Sequence, residues 1–226
     1  MLTTEVDTGQ LAVVRAIYED AFPADLRADF DSLLDDRLVV RVAEGGAPEG
    51  LAVLRPLGGT GWVFLRYYAV GVRGGGVGTA MLGELAALLT DEGCSLLVWD
   101  VEDPDEPGLA AHEVEEHRRR IAFYERAGGL LLPVRDYAPP HGDDLDDHAP
   151  HLRLMCLPLG GAPAPAPRDV LLAAIVAQAD EVGAPAYAEA ASEQERSLLA
   201  AHGFDEQGSV DVPGGPELSL MWRRSR

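Results

Sequence analysis

The chain has 226 residues, 47% hydrophobic and 25% charged, a globular composition that excludes wholesale disorder and fibrous repeats. Thirty-eight acidic residues against eighteen basic ones leave a net charge of −20, so neither a nucleic acid nor an anionic membrane is an expected partner. Every basic residue is Arg, which excludes a Schiff-base lysine and a Walker-type phosphate loop and suits a GC-rich bacterial genome.

In chain order, Leu11 to Phe22 has helical apolar spacing and ends at Pro23, and an acidic amphipathic stretch from Ala24 to about Asp35 predicts a second helix. Leu38 to Val42 and Gly50 to Leu57 flank a Gly-Gly-Ala-Pro turn and predict a hairpin, and Trp62 to Val70 predicts a long third strand. A glycine cluster at Gly74 to Gly78 leads into a helical repeat of Met81, Leu85, Leu88 and Leu89, followed by the strand formers Ser95 to Val101. Asp103 to Pro107 reads as a loop and Glu113 to Ala127 as a helix. Leu130 to Val134 and His151 to Leu157 read as strands around an acidic loop, His141 to His151.

No apolar run approaches the roughly 18 residues of a membrane span, and no basic-then-apolar leader opens the chain. Cys94 and Cys156 lack C-x-x-C spacing, so reduced thiols and a cytoplasmic location are expected. The Ala/Pro alternation between Gly160 and Pro167 marks a stiff linker. The expected division is therefore a main domain over 1–158, a linker over 159–167 and a module over 168–226. That module reads as helix Asp169–Val182, strand Pro185–Ala190, helix Glu193–His202 and two strands ending at Trp222.

Chemistry concentrates at Arg73-Gly74-Gly75-Gly76-Val77-Gly78-Thr79. A glycine turn between strand and helix exposes backbone N–H groups at the positive end of the helix dipole and lets a phosphate approach closely; a tight turn without a ligand is the plain alternative. The dinucleotide fingerprint G-x-G-x-x-G fails at its third glycine, since the frame from Gly74 ends on Thr79 and that from Gly76 on Met81.

The pattern R-x-x-G-x-G instead resembles the pyrophosphate loop of the GNAT superfamily of acyl-CoA N-acyltransferases, with Arg73, Gly76 and Gly78 at its fixed positions. Further on, Arg119-Arg120-Ile121-Ala122-Phe123-Tyr124-Glu125-Arg126-Ala127-Gly128 is similar to the same superfamily's FYER-x-G helix. One bacterial subgroup is closer still, through Ala21-Phe22-Pro23, Asp100-Val101-Glu102-Asp103-Pro104 and Leu152-Arg153-Leu154-Met155. The resemblance covers about Leu2 to Leu157. It implies an α/β fold of the GNAT-like acyl-CoA N-acyltransferase type, a mixed central sheet flanked by helices, with a smaller α/β C-terminal extension.

Two departures accompany it. The spacer from Val70 to Arg73 is shorter than usual in the superfamily, and the strand position that often carries a basic Glu holds Arg66.

What the resemblance implies is acetyl transfer from acetyl-CoA to a primary amine of a small molecule, by direct attack and without a metal. A cationic amine suits the acidic chain. Val70, Val72, Arg73, Gly74, Gly75, Gly76, Val77, Gly78 and Thr79 would hold the cofactor, and backbone amides around Ala69 to Gly71 would face the thioester carbonyl. Tyr124 would protonate the leaving thiolate, a core tyrosine beside Phe123 being the alternative. Glu102, then Asp100, are the candidate bases, since residues two apart share a strand face, with a solvated acidic loop as the alternative. A non-catalytic acyl-CoA-binding or protein-interaction module on the same fold, or a nucleotide site at the same turn, stays open. So does the oligomeric state, a homodimer included.

The remaining groups carry less. His141, Asp143, Asp144, Asp146, Asp147, His148 and His151 have metal-ligand chemistry but the spacing of a solvated loop, and His112 and His117 do not share a helix face. Pro185 to Ser192, Leu198 to Phe204 and Pro213 to Trp222 resemble the C-terminal half of a second GNAT module. Leu199 stands in its tyrosine position, and no glycine loop precedes it.

Overall fold

The computed structural model describes residues 1–23, 27–57, 60–72, 74–134, 137, 140–141, 144–148, 151–181 and 183–224, with the side chains of 140–141, 144–148, 177–178 and 180–181 left out. The chain divides into two compact units. One comprises 1–133 and 152–164, the other 134–151 and 165–226. The segment 134–151, expected inside the main domain, thus groups with the second unit.

The first unit begins with β1 (Leu2–Thr3) and α1 (Thr8–Ala21). α1 starts at a reciprocal cap, Gln10 N–H donating to Asp7 Oδ1 at 2.8 Å and Asp7 N–H to Gln10 Oε1 at 3.1 Å. Of the helix expected from Ala24 to Asp35, residues 24–26 lie outside the described residues, and the described part forms only a short 3₁₀ helix, Phe30–Asp35. Asp29 accepts the Asp31 N–H at 2.8 Å, a local side-chain bond that starts a tight turn in place of a regular helix. β2 (Arg37–Val42), β3 (Pro48–Pro56) and β4 (Trp62–Val70) follow as a meander. Then come α2 (Val77–Asp91), β5 (Leu96–Glu102), α3 (Ala111–Arg126), β6 (Leu130–Leu131) and, after the excursion, β9 (Leu152–Pro158). The excursion, expected as a plain loop, carries two short paired strands, β7 (Pro140–His141) and β8 (Asp144–His148).

These strands form one sheet in the order β1-β2-β3-β4-β5-β9-β6, antiparallel except for the parallel β4–β5 pair. Alternation along the strands supplies two apolar faces. Leu54, Leu65, Leu97, Trp99 and Met155 meet Met81 and Leu85 of α2 and Tyr124 of α3. On the opposite face Val40, Leu51 and Val53 meet Val14 and Tyr18 of α1 and Phe30 and Leu33 of the 3₁₀ helix. The result is a mixed α/β architecture with a mostly antiparallel sheet between helical layers.

The second unit contains, besides β7 and β8, α4 (Pro167–Glu181), β10 (Ala186–Ala190), α5 (Glu193–Ala201), β11 (Asp205–Asp211) and β12 (Glu217–Arg223). Its three-stranded antiparallel sheet has the order β10-β12-β11, and Ala190, Leu199, Phe204 and Met221 form its core.

Candidate active site

The site is built around a failure of two strands to stay together. β4 and β5 pair only through Trp62↔Leu96, Val63↔Leu97 and Phe64↔Val98. β4 then runs on to Val70 along β3, and β5 to Glu102 along β9. A β-bulge accompanies the parting: Val53 faces Tyr67 and Leu54 faces Leu65, so Arg66 is the extra residue on β4. A bulge bends and overtwists its strand, which swings the end of β4 away from β5. Among the described residues no strand pairs with that side of β4 beyond Phe64, so its main-chain donors and acceptors line an open wedge.

The wedge leads to the N-terminus of α2. Gly74, Gly75 and Gly76 take φ values of +92°, +63° and +77°, which alanine adopts only under strain. Gly76 is the N-cap, and no side chain caps the helix. The first N–H groups of α2, at Val77, Gly78 and Thr79, therefore point outward with the positive end of the helix dipole behind them. The space around Gly74, Gly75 and Gly76 is open, with nothing within 4 Å of a Cβ built on any of them. Val72 is exposed and Val70 half-buried. Arg73, the first fixed residue of the loop pattern, lies outside the described residues. On the inner side, the Tyr68 hydroxyl donates to the Gly78 carbonyl at 2.5 Å and ties the helix start to β4.

Tyr124 comes from α3 and is only 7% exposed. Its ring lies 4.8 Å from that of Trp99 and 5.0 Å from that of Phe123. Burial raises its phenol above the ordinary value, Arg120 opposes this, and Glu102 and Asp100 add to it, so the hydroxyl stays protonated at neutral pH. Sequence reasoning missed Trp99, whose indole Nε1 is buried with no hydrogen-bond partner and whose ring lies within 3.2 Å of where a side chain on Gly129 would begin. No local signal marks it, because its contact with α3 follows from register alone.

Asp100 and Glu102 alternate with Trp99 and Val101 on β5, and both are half-buried. Glu102 forms an ion pair with Arg120, which also lies 3.6 Å from Glu116. The contact of Arg120 with Glu116 follows from helical i,i+4 spacing, whereas its bond to Glu102, 18 positions away, has no local signal. The Arg66 guanidinium meets Asp36 at 2.7 Å, and Arg55 grips the same carboxylate with two bonds of 3.0 Å.

His112 lies in the first turn of α3 and His117 near its middle without forming a cluster, and among the described residues no group of His, Cys, Asp and Glu is suited to a metal. The side chains of His141, Asp144, Asp146, Asp147 and His148, and all of Asp143, lie outside the described residues. Among the described residues no helix is long and apolar enough to cross a membrane.

A family model described as the acetyltransferase (GNAT) family matches residues 11–128. This is just over half of the 226 residues, and it spans the wedge, the glycine loop and Tyr124; the chain belongs to the GNAT acetyltransferase family, whose members are acyltransferase enzymes. No curated protein matches the chain. Among solved structures, a Bacteroides thetaiotaomicron protein assigned to the GNAT family is 21% identical, with 75% of this chain and 90% of that one covered and a TM-score of 0.59. A ribosomal-protein-alanine N-acetyltransferase from Brucella melitensis is 20% identical over 70% of this chain and 99% of its own, with a TM-score of 0.50. A GNAT-family protein from Desulfovibrio desulfuricans is 18% identical over 70% and 98%, with a TM-score of 0.50. At such identities the likeness speaks for the fold.

Proposed function

We propose that this protein transfers an acetyl group from acetyl-CoA to the primary amine of a small, cationic molecule. The observation that carries the reading is the parting of β4 from β5 immediately before the glycine-led, uncapped N-terminus of α2. The pyrophosphate would sit on the N–H groups of 74–79, with Arg73 adding a positive charge. The pantetheine arm would run along the open edge of β4, with which no described strand pairs beyond Phe64.

Acetyl-CoA supplies an activated acyl carbon, and the chain's residues do the rest. Backbone amides near Ala69 to Gly71 would polarise the thioester carbonyl. An ammonium acceptor gives one proton to a base, Glu102 or Asp100 directly or through water. The amine nitrogen then attacks the carbonyl carbon, the C–S bond breaks, and the nitrogen's surplus proton is released. Tyr124 donates to the departing thiolate, which leaves as the thiol, and the phenolate so formed takes up the nitrogen's surplus proton directly or through water. Glu102 must first exchange Arg120 for the substrate, so Asp100 competes for the role. Acceptor choice follows charge: a chain at −20 concentrates cations at its surface.

The test is titration of the purified protein with acetyl-CoA, with NAD and ATP as controls, followed by thiol release in the presence of a panel of amines. Binding of acetyl-CoA alone with amine-dependent thiol release supports the reading. Absence of acetyl-CoA binding overturns it, and binding without thiol release for any amine leaves the non-catalytic alternative.

A further inference from the structure

The two units repeat one pattern. α2-β5-α3-β6-β9 in the first and α4-β10-α5-β11-β12 in the second are each helix, strand, helix, strand, strand. In both the last strand lies between the other two, in the orders β5-β9-β6 and β10-β12-β11. The register agrees: Trp99 faces Met155 and Leu131 faces Met155, while Ala188 faces Met221 and Glu206 faces Met221. Each methionine ends a Leu-x-Leu-Met run, 152–155 and 218–221. The helix ends agree as well, with Gly129 N–H donating to Tyr124 O at 2.9 Å and Phe204 N–H to Leu199 O at 3.1 Å, past Gly128 at φ +91° and Gly203 at φ +85°.

This correspondence makes one sheet face comparable in the two repeats. In the first, Val98, Leu154 and Cys156 are all 0% exposed. In the second, Val98 is replaced by Tyr187 and Cys156 by Trp222, which are 52% and 39% exposed with rings 6.4 Å apart. Val210, opposite Leu218 in register, extends the apolar row and is also exposed. The positions that the first repeat buries at Val98 and Cys156 are here open and carry larger, aromatic groups. Aromatic pairs of this kind anchor interfaces.

The surrounding charge selects the occupant. Tyr187 donates to Glu189 at 2.9 Å, and Asp205 lies opposite Trp222 in register, so the aromatic pair is flanked by carboxylates. Residues 165–226 hold ten acidic side chains against five arginines. A second copy would bring equal charges together on a chain already at −20, which opposes self-association through this face. A guanidinium or ammonium gains from both the ring faces and the carboxylates. We infer that the open sheet face centred on Tyr187 and Trp222 docks a cationic polypeptide segment, with arginine or lysine side chains spaced by apolar ones. The inference concerns binding alone and stands whether or not acetyl transfer is demonstrated.

The test uses the full chain and the peptide acetyl-Gly-Arg-Leu-Arg-Leu-Arg-Gly-amide, with a second peptide carrying Glu in place of Arg as control. Calorimetry is expected to give binding of the arginine peptide only. Tyr187→Ala and Trp222→Ala each weaken it about tenfold, and Glu189→Gln weakens it less. Trp222 is the most exposed of the three tryptophans, so the arginine peptide should also protect the wild-type fluorescence from acrylamide, a reading that needs no variant. Absence of arginine-peptide binding overturns the proposal. So does equal binding by the wild type and the folded Tyr187→Ala/Trp222→Ala double variant, which would assign it to the acidic surface at large. Sedimentation showing a dimer that these substitutions abolish, without peptide binding, would make a second copy the occupant and overturn it equally.

Discussion

Replacing Gly75 and Gly76 by alanine isolates what the loop backbone contributes to cofactor binding. Both residues have left-handed φ, +63° and +77°, and neither would place a methyl group within 4 Å of any atom, so the whole cost is conformational. An L-residue in that region costs about 1–2 kcal/mol. Because the loop is exposed, the variant chain escapes the strain by leaving the conformation that presents the N–H groups, and the cost appears in ligand affinity more than in folding. Each substitution should then weaken acetyl-CoA binding about 5–30-fold by calorimetry, and the pair more than either alone. Gly83→Ala is the control: Gly83 lies inside α2, is exposed and also has nothing within 4 Å. Alanine there should raise stability by about 0.5–1 kcal/mol and leave affinity unchanged. A Gly75→Ala/Gly76→Ala protein that binds acetyl-CoA as tightly as the wild type would refute the assignment of this backbone to the ligand.

Tyr124→Phe should leave the fold and acetyl-CoA affinity close to wild type and lower kcat at least tenfold in steady-state assays; an unchanged rate removes the phenol from the reaction. Asp36→Asn strips the shared carboxylate from Arg66 and Arg55, and with Asp36 and Arg66 side chains each only 8% exposed it should cost about 3–5 kcal/mol in urea unfolding. A loss below about 1 kcal/mol would mean that the arginines are re-solvated. Gly129→Ala puts a methyl group 2.9 Å from the Tyr124 carbonyl and 3.2 Å from the Trp99 ring; a cost of about 1–3 kcal/mol with a lowered kcat is expected, and a neutral result would show that the Trp99–Tyr124 contact is loose.

Alkaline pH should destabilise the protein. Burial pushes the Cys156 thiol up to about 11 and raises Tyr18, Tyr68 and Tyr124 above their ordinary value. The folded state therefore holds protons that the unfolded chain gives up from about pH 8.5 for Cys and about 10 for Tyr, so this stability is present below those values and lost above them. Melting temperature should fall between pH 8 and 10.5, and a flat profile would contradict the burial of these groups.

Much of the architecture was legible because local rules agreed with it. The glycine run forced a turn, the 3.6-residue repeat of Met81, Leu85 and Leu89 made α2, and β4 was bounded as expected at Trp62 and Val70. The acidic stretch 24–35 misled, because helical spacing of apolar residues does not reveal that Asp29 will bond to the Asp31 N–H and tighten the chain into a 3₁₀ turn. At the site, residue types were readable and partners were not. Glu102 could be named as a carboxylate at a strand end, but its capture by Arg120 depends on where α3 lands. Likewise the reason for Arg66, a bulge position facing Asp36, exists only once β3 and β4 are in register.

The bulge and parting of β4 have a consequence for how this chain can vary. The donors and acceptors on the side of β4 that no described strand pairs with beyond Phe64 belong to peptide bonds, and every amino acid except proline carries both. Point mutation of side chains therefore cannot delete this row of groups; only a proline, an insertion or a lost bulge can. Substitution can rewrite the strand's side-chain chemistry while the notch itself is kept as geometry.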